Sequence, residues 1–306
     1  MIKKKIGKIR IIFFLIYRKI VLRSYINIKL GRIYYNNDGG LISNVVGRFV
    51  WRRDVKTSHF NGFLIKQNNL SDQLKKEGLV FYDGLIGSDL VDMISDKWSI
   101  YCSNQQIPSD YRLQLSSENK LSYINGNFPE INKILTDELL EIIQQYYQSY
   151  VNLLNIHIYR ITTPSDKMLK DAYGSTVNFH TDGSTSESLK IFVLLSDVSD
   201  KDGPMNLLNV QNTKNILRNT KINLSNSDRN EYIEKNYNAV KYTGKKGRVL
   251  IARTNDCLHR ATIPQDMRTR DILTFYITTS GNNKGRSEML NTSYEQFLGL
   301  KRVFLR

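Results

Sequence analysis

Cysteine is nearly absent: the 306 residues hold two, Cys102 and Cys257, far apart and outside any Cys-x-x-Cys pair. That excludes a disulfide framework and a zinc ribbon, and it reads as a chain of a reducing, cytoplasmic compartment. Histidine is scarce too, with four residues, at 59, 157, 180 and 259. Acid is almost missing from residues 1–53, where thirteen Lys and Arg accompany the single acid Asp38; that segment carries +12 of the total +15. The remaining 253 residues are nearly neutral at +3, so charge-based arguments about partners belong to the N-terminal segment. They offer no basic stripe of the kind that lines a nucleic-acid groove, which argues against a nucleic-acid partner. No internal repeat is present. Long hydrophobic runs are lacking as well. The run 11–17 has seven residues, against the ~20 needed to span a bilayer. Basic residues recur at 18, 19, 23, 29 and 32 with no small-residue cleavage site, unlike a signal peptide. Residues 1–35 read as a basic, apolar helix with two uses open to it. It either lies among the headgroups of an anionic membrane, at the inner face of the cell, or packs on the body with its basic side in water.

What is present is enough apolar residue, 41%, for one sizeable domain. The expected organisation is a basic segment over 1–69, a body over 70–281 and a polar, basic tail over 282–306. Within 36–70, Asn36 to Gly40 reads as a turn and Trp51-Arg52-Arg53 as a surface cluster. Residues 74–82 predict a helix end, a glycine stop and a short strand. Ser88 is expected to cap a helix with Leu90, Val91, Ile94 and Trp98 on its inner side. Residues 131–151 keep a helical period throughout and predict one helix. The period then changes. Strands are expected over 153–161, 189–195, 205–210, 248–253 and 270–278, with a turn at Asp202-Gly203-Pro204 and an exposed, partly helical insertion over 211–238. Helices first and short strands later predict an α+β fold built around a β-barrel or sandwich.

The stretch Phe179-His180-Thr181-Asp182 offers an imidazole and a carboxylate two positions apart. In an extended segment these leave the same face. One more nitrogen completes the two-His-one-carboxylate set suited to non-haem Fe(II) with open positions. His259 is the best candidate for it. His59 and His157 read as packed or surface residues, and Cys257 as a small buried hydrophobe, although it stands two residues from His259.

These residues carry a resemblance. Phe179 to Asp182, the strand from Leu189 to Val198, Asp202-Gly203-Pro204, His259-Arg260-Ala261 and then Arg270 resemble, in that order, the phytanoyl-CoA dioxygenase family. The likeness runs from about 74 to 277 and is sharpest over 173–277. It implies a double-stranded β-helix (jelly-roll, cupin-like) core with N-terminal flanking helices. The implied activity depends on Fe(II), 2-oxoglutarate and O2, with release of succinate and CO2. It further implies His180, Asp182 and His259 as iron ligands and Arg270 as the anchor of the 2-oxoglutarate distal carboxylate. Arg268 competes for that last role. Tyr159 and Lys190 fall on strands expected to line the cavity and are cosubstrate-binding candidates. Family members that halogenate lack the carboxylate; Asp182 therefore implies hydroxylation or another oxidation. The expected substrate is a small or carrier-linked molecule. The alternative is a non-catalytic β-sandwich binding module whose basic arm docks on anionic membrane or nucleic acid, with His180 and Asp182 incidental.

Overall fold

The computed structural model describes residues 69–104, 112–116, 124, 126–163, 177–182, 188–219 and 226–280, with positions 52 and 55. The basic helix read over 1–35, the turn at 36–40, His59 and the tail over 282–306 lie outside the described residues.

Helix α1 (Asn69–Glu77) stops where expected, at Gly78. Gly78 has φ +79°, and a Cβ there would lie 2.3 Å from Val210 Cγ2 and 2.6 Å from Cys257 Sγ. Handedness and crowding both require glycine. Strand β1 (Leu79–Tyr82) follows. Helix α2 (Ser88–Ser103) buries Val91, Ile94, Trp98 and Cys102, while Leu90 is only partly buried. Its N-cap is Gly87, not the expected Ser88, whose hydroxyl turns to the Asp89 carboxylate at 3.3 Å. Strand β2 (Arg112–Ser116) lies in a stretch for which the sequence predicted no strand.

The helix expected over 131–151 is two helices and the start of a strand. These are α3 (Ile131–Ile134), α4 (Asp137–Tyr147) and β3 (Tyr150–Thr162). Thr136 breaks the run by capping α4, its hydroxyl accepting from the Leu139 N–H at 3.2 Å. Both pieces bury their apolar residues in one cluster, so the period survives the break.

After β4 (Leu189–Leu194) comes β5 (Met205–Leu207), shorter than the strand expected over 205–210. Asn209 ends it by accepting from the Asn212 N–H at 2.8 Å and starting α5 (Val210–Asn219). With α6 (Asn226–Asn236), α5 occupies the region expected to be an exposed insertion. Instead, Ile216 and Ile233 are fully buried against Phe179, Leu208 and Leu258. Strands β6 (Val240–Tyr242), β7 (Val249–Ala252), β8 (His259–Ala261) and β9 (Thr269–Ser280) complete the body.

The strands form two antiparallel sheets, ordered β1-β7-β4-β9-β3-β2 and β6-β5-β8. An isolated bridge joins His180 to His259 and extends the small sheet. Along the chain, β3 is in the large sheet, the His180 segment in the small one, β4 in the large, β5 and β6 in the small. Then β7 is in the large, β8 in the small and β9 in the large. A chain winding between two facing sheets in this way is a double-stranded β-helix within an α+β fold.

Strand alternation then assigns every side chain a layer. On β9, Leu273, Phe275 and Ile277 face out and pack with Ile191 and Val193 of β4 against Leu74, Ile94, Trp98 and Ile142 of the helices. On the opposite face, Ile272 packs with Tyr159, Phe192, Leu194 and Leu250 against Met205, Leu207 and Tyr242 of the small sheet.

Candidate metal centre

His180 and His259 are held side by side by backbone. Each N–H donates to the other's carbonyl, at 3.0 and 2.9 Å. Residues that exchange both bonds place their side chains on the same side, and the two rings lie 4.5 Å apart between centroids. Two residues on, the Asp182 N–H donates to the Thr254 carbonyl at 3.0 Å, which turns its carboxylate to the same space. One ligand atom from each of His180, Asp182 and His259 lies within 4.8 Å of the others. His259 Nε2 is 3.8 Å from Asp182 Oδ1.

The imidazoles are oriented by their own chain. Nδ1 of His180 lies 2.8 Å from the Asn178 carbonyl, and Nδ1 of His259 lies 3.0 Å from the Cys257 carbonyl. A carbonyl only accepts, so Nδ1 carries the proton and Nε2 presents its lone pair to the shared space. A carbonyl behind each ring is the kind of support that metal-binding imidazoles use. Burial drives the His259 pKa down to about 4, so its imidazole is neutral near pH 7.

Burial would raise the Asp182 pKa, but the Lys190 ammonium, with His259 next, holds it well below the usual carboxylate range. Lys190 Nζ sits 2.5 Å from Asp182 Oδ2. It also lies 4.5 Å over the Tyr276 ring. Burial opposes the Lys190 charge, and the Asp182 carboxylate outweighs it and raises the ammonium pKa. One Asp182 oxygen is thus committed to Lys190, and the other faces the imidazoles. Two imidazole Nε2 atoms and one carboxylate oxygen make a set that fits a first-row divalent metal.

From the triad end, the inward side chains of β9 run Tyr276, Thr274, Ile272, Arg270. Arg270 is 1% exposed. Arg268, its rival, is nearly half exposed and points to Asp202 at 3.4 Å. Thr274 Oγ1 lies between the two ends, buried with no hydrogen-bond partner among the described residues. A polar ligand in this space is one way to satisfy it. Tyr159 faces the same interior on β3, opposite Ile272 and one inward step from Ile161, the partner of Arg270.

Of the six residues singled out in the sequence, three converge as a donor set and Lys190 touches it. Arg270 and Tyr159 lie farther along the same interior. His157 is a packed residue, 4.9 Å from the Tyr276 ring and 2.7 Å from the Asn155 amide. Cys257 points away from the triad, toward Gly78 and the Glu77 carbonyl. Tyr276 and Thr274 were not anticipated. Their signal was available, because both stand an even number of residues from Arg270 on one strand.

No protein-family model matches the chain, and no curated protein matches it. Solved structures do. The chain is similar to the non-haem alpha-ketoglutarate-dependent epimerase SnoN from nogalamycin biosynthesis, at 12% identity and a TM-score of 0.48, over 69% of this chain and 81% of that one. It is similar to HygX from Streptomyces hygroscopicus, with nickel and 2-oxoglutarate bound, at 16% identity and 0.47, over 70% and 87%. EctD from S. alaskensis, with 2-oxoglutarate and 5-hydroxyectoine, matches at 11% and 0.48, over 70% and 76%.

Proposed function

We propose that this chain is an Fe(II)- and 2-oxoglutarate-dependent dioxygenase of the phytanoyl-CoA dioxygenase type, oxidising a C–H bond of a small or carrier-linked organic molecule. The observation that carries the reading is the convergence of His180, Asp182 and His259, with both imidazoles pre-set to present Nε2. His180, Asp182 and His259 would hold Fe(II), which would supply the oxidising chemistry with 2-oxoglutarate and O2.

The protein's part is geometric and electrostatic. The carbonyls of Asn178 and Cys257 fix the imidazole tautomers. Lys190 holds one Asp182 oxygen, so the carboxylate offers a single donor to the site. Arg270, deep in the interior, presents a planar fork to the distal carboxylate of 2-oxoglutarate. Tyr159 and Thr274 line the interval between that carboxylate and the triad. Phe192, Leu250 and Ile272 wall it and keep water out. Asp182 favours hydroxylation or a related oxidation over halogenation.

The test is anaerobic addition of Fe(II) and 2-oxoglutarate to the full chain. A metal-to-ligand absorption band is expected, and it is lost in Asp182→Ala and His259→Ala. No band, with or without candidate substrates, sinks the reading. The basic segment 1–35 is proposed as a peripheral contact with anionic membrane; its support is its ten Lys and Arg, with no acid, interleaved with apolar residues. Among the described residues no helix is long and apolar enough to cross a membrane. Removing 1–35 is expected to abolish sedimentation with anionic vesicles while leaving succinate formation intact.

A further inference from the structure

The segment that carries His180 has two edges. On one, the N–H and carbonyl of His180 exchange bonds with His259 of β8. The N–H and carbonyl of the preceding residue, Phe179, point to the other edge, because backbone groups alternate along an extended chain. No described strand pairs there, and an open edge of this kind calls for cover. Two side chains of α6 supply it. Asn230 Oδ1 accepts from the Phe179 N–H at 2.9 Å, and Arg229 donates to the Phe179 carbonyl at 3.3 Å.

The Asn230 amide also donates to Asn178 Oδ1 at 2.7 Å and to the Val177 carbonyl at 3.4 Å. A side-chain amide has one acceptor oxygen and two N–H donors. Asn230 therefore spends its oxygen and its nitrogen on the stretch Val177-Asn178-Phe179. The Asn178 carbonyl is the group that accepts from Nδ1 of His180 at 2.8 Å and so leaves Nε2 for the metal space. Fastening these three residues fastens that carbonyl, and with it the ring. The same helix reaches the second histidine strand. Ile233 is buried against Phe179 and Leu258, and Glu234 pairs with Arg260, the residue after His259. Asn230, Ile233 and Glu234 stand three and four residues apart, on one face of α6.

We infer that Asn230 is a positioning residue for the metal centre: by fastening the outer edge of 177–179 it sets the tautomer and direction of the His180 imidazole. The inference rests on the reading of His180 as a metal ligand. It gives α6, which reads in the sequence as part of a polar insertion, a task at the site.

The test compares the full-length chain with its Asn230→Ala and Ile233→Val variants. Ile233→Val loosens the packing of the same helix and leaves the amide in place. The first readout is the His180 tautomer, seen by imidazole nitrogen NMR of metal-free, histidine-labelled protein at pH 8. With four histidines in the chain, the His180 signal is the one missing from His180→Gln. The unaltered chain and Ile233→Val are expected to hold the Nδ1–H form alone, and Asn230→Ala to populate the Nε2–H form as well. The second readout is the affinity for Co(II), added alone under anaerobic conditions. It should fall roughly tenfold or more in Asn230→Ala, the range for a group that orients a metal ligand, and be unchanged in Ile233→Val. Should Asn230→Ala not fold, Asn230→Asp serves, because it keeps the acceptor and loses the donors. An unchanged His180 tautomer in the Asn230 variant, or an equal loss of Co(II) affinity in Ile233→Val, overturns the assignment. If the unaltered chain takes up no Co(II), it is the metal reading that falls, and the tautomer still decides the role of Asn230.

Discussion

At the scale of residues, the site depends on keeping the His259 imidazole neutral and the Asp182 carboxylate charged in a buried space. His259 has its pKa at about 4, below the ordinary 6.5. Between those values the unfolded chain binds the proton that the folded chain refuses, so stability rises with pH across that window. It is lost as pH falls from about 6.5 to about 4, by up to ~3 kcal/mol for a full shift of this size. Asp182 is depressed in the same sense, but its contribution is lost only below the ordinary carboxylate pKa of 3.8. For metal-free protein, urea midpoints should fall steadily from pH 6.5 to 4, and His259→Gln should flatten that slope. The two arginines separate just as cleanly. Arg270 is buried on the inward face, and Arg268 is exposed beside Asp202. Arg270→Lys is therefore expected to raise the KM for 2-oxoglutarate by roughly tenfold or more, because an ammonium cannot reproduce the planar fork. Arg268→Lys should leave that KM unchanged.

At the scale of elements, junctions carry more information than lengths. Gly78 stands where α1 becomes β1, and both its φ and its neighbours forbid a side chain. Gly78→Ala should destabilise the fold by more than about 2 kcal/mol, combining a left-handed backbone with a core clash; equilibrium denaturation measures it. The period of 131–151 was legible, but the break at Thr136 was not, because apolar spacing continues through it. The short strands β2, β6 and β8 were also missed. Three residues of β8 and β6 are too few to show alternation, and only their sheet partners define them. Helices α5 and α6 read as polar because each buries a single fully covered isoleucine, Ile216 or Ile233.

At the scale of the whole molecule, β9 is the shared wall. Its even positions from Arg270 to Tyr276 face the site, and its odd positions hold the helical layer. Asp271, 4% exposed, ties that layer together. It accepts two bonds from Arg160 at 2.8 Å and one from Trp98 Nε1 at 3.1 Å, and its own N–H donates to Ser196 Oγ. Asp271→Ala strands the half-buried Arg160 charge and is expected to cost less than the ~3–5 kcal/mol of breaking a fully buried pair. A fall in Tm that Arg160→Met partly reverses in the double variant would identify the pair as the source. The cysteines report on the same packing. Burial pushes both thiols up to about 12, so in native protein neither should react with a thiol reagent at pH 8, and both should react once it is unfolded.

The sequence by itself determined the local facts. His180 and Asp182 share a face because strand geometry alternates side chains at every residue, and a helix-to-strand switch at Gly78 follows from the one residue type that tolerates its backbone. It also named His259 as the candidate third donor and, through the family resemblance, Arg270. Tertiary structure alone decided that His180 and His259 exchange backbone hydrogen bonds, and that Lys190 closes on Asp182 and lies over the Tyr276 ring. Two of those contacts, His180 with His259 and Lys190 with Tyr276, join segments tens of residues apart. Their geometry is set by which strands become neighbours across two sheets, and no local period records that choice.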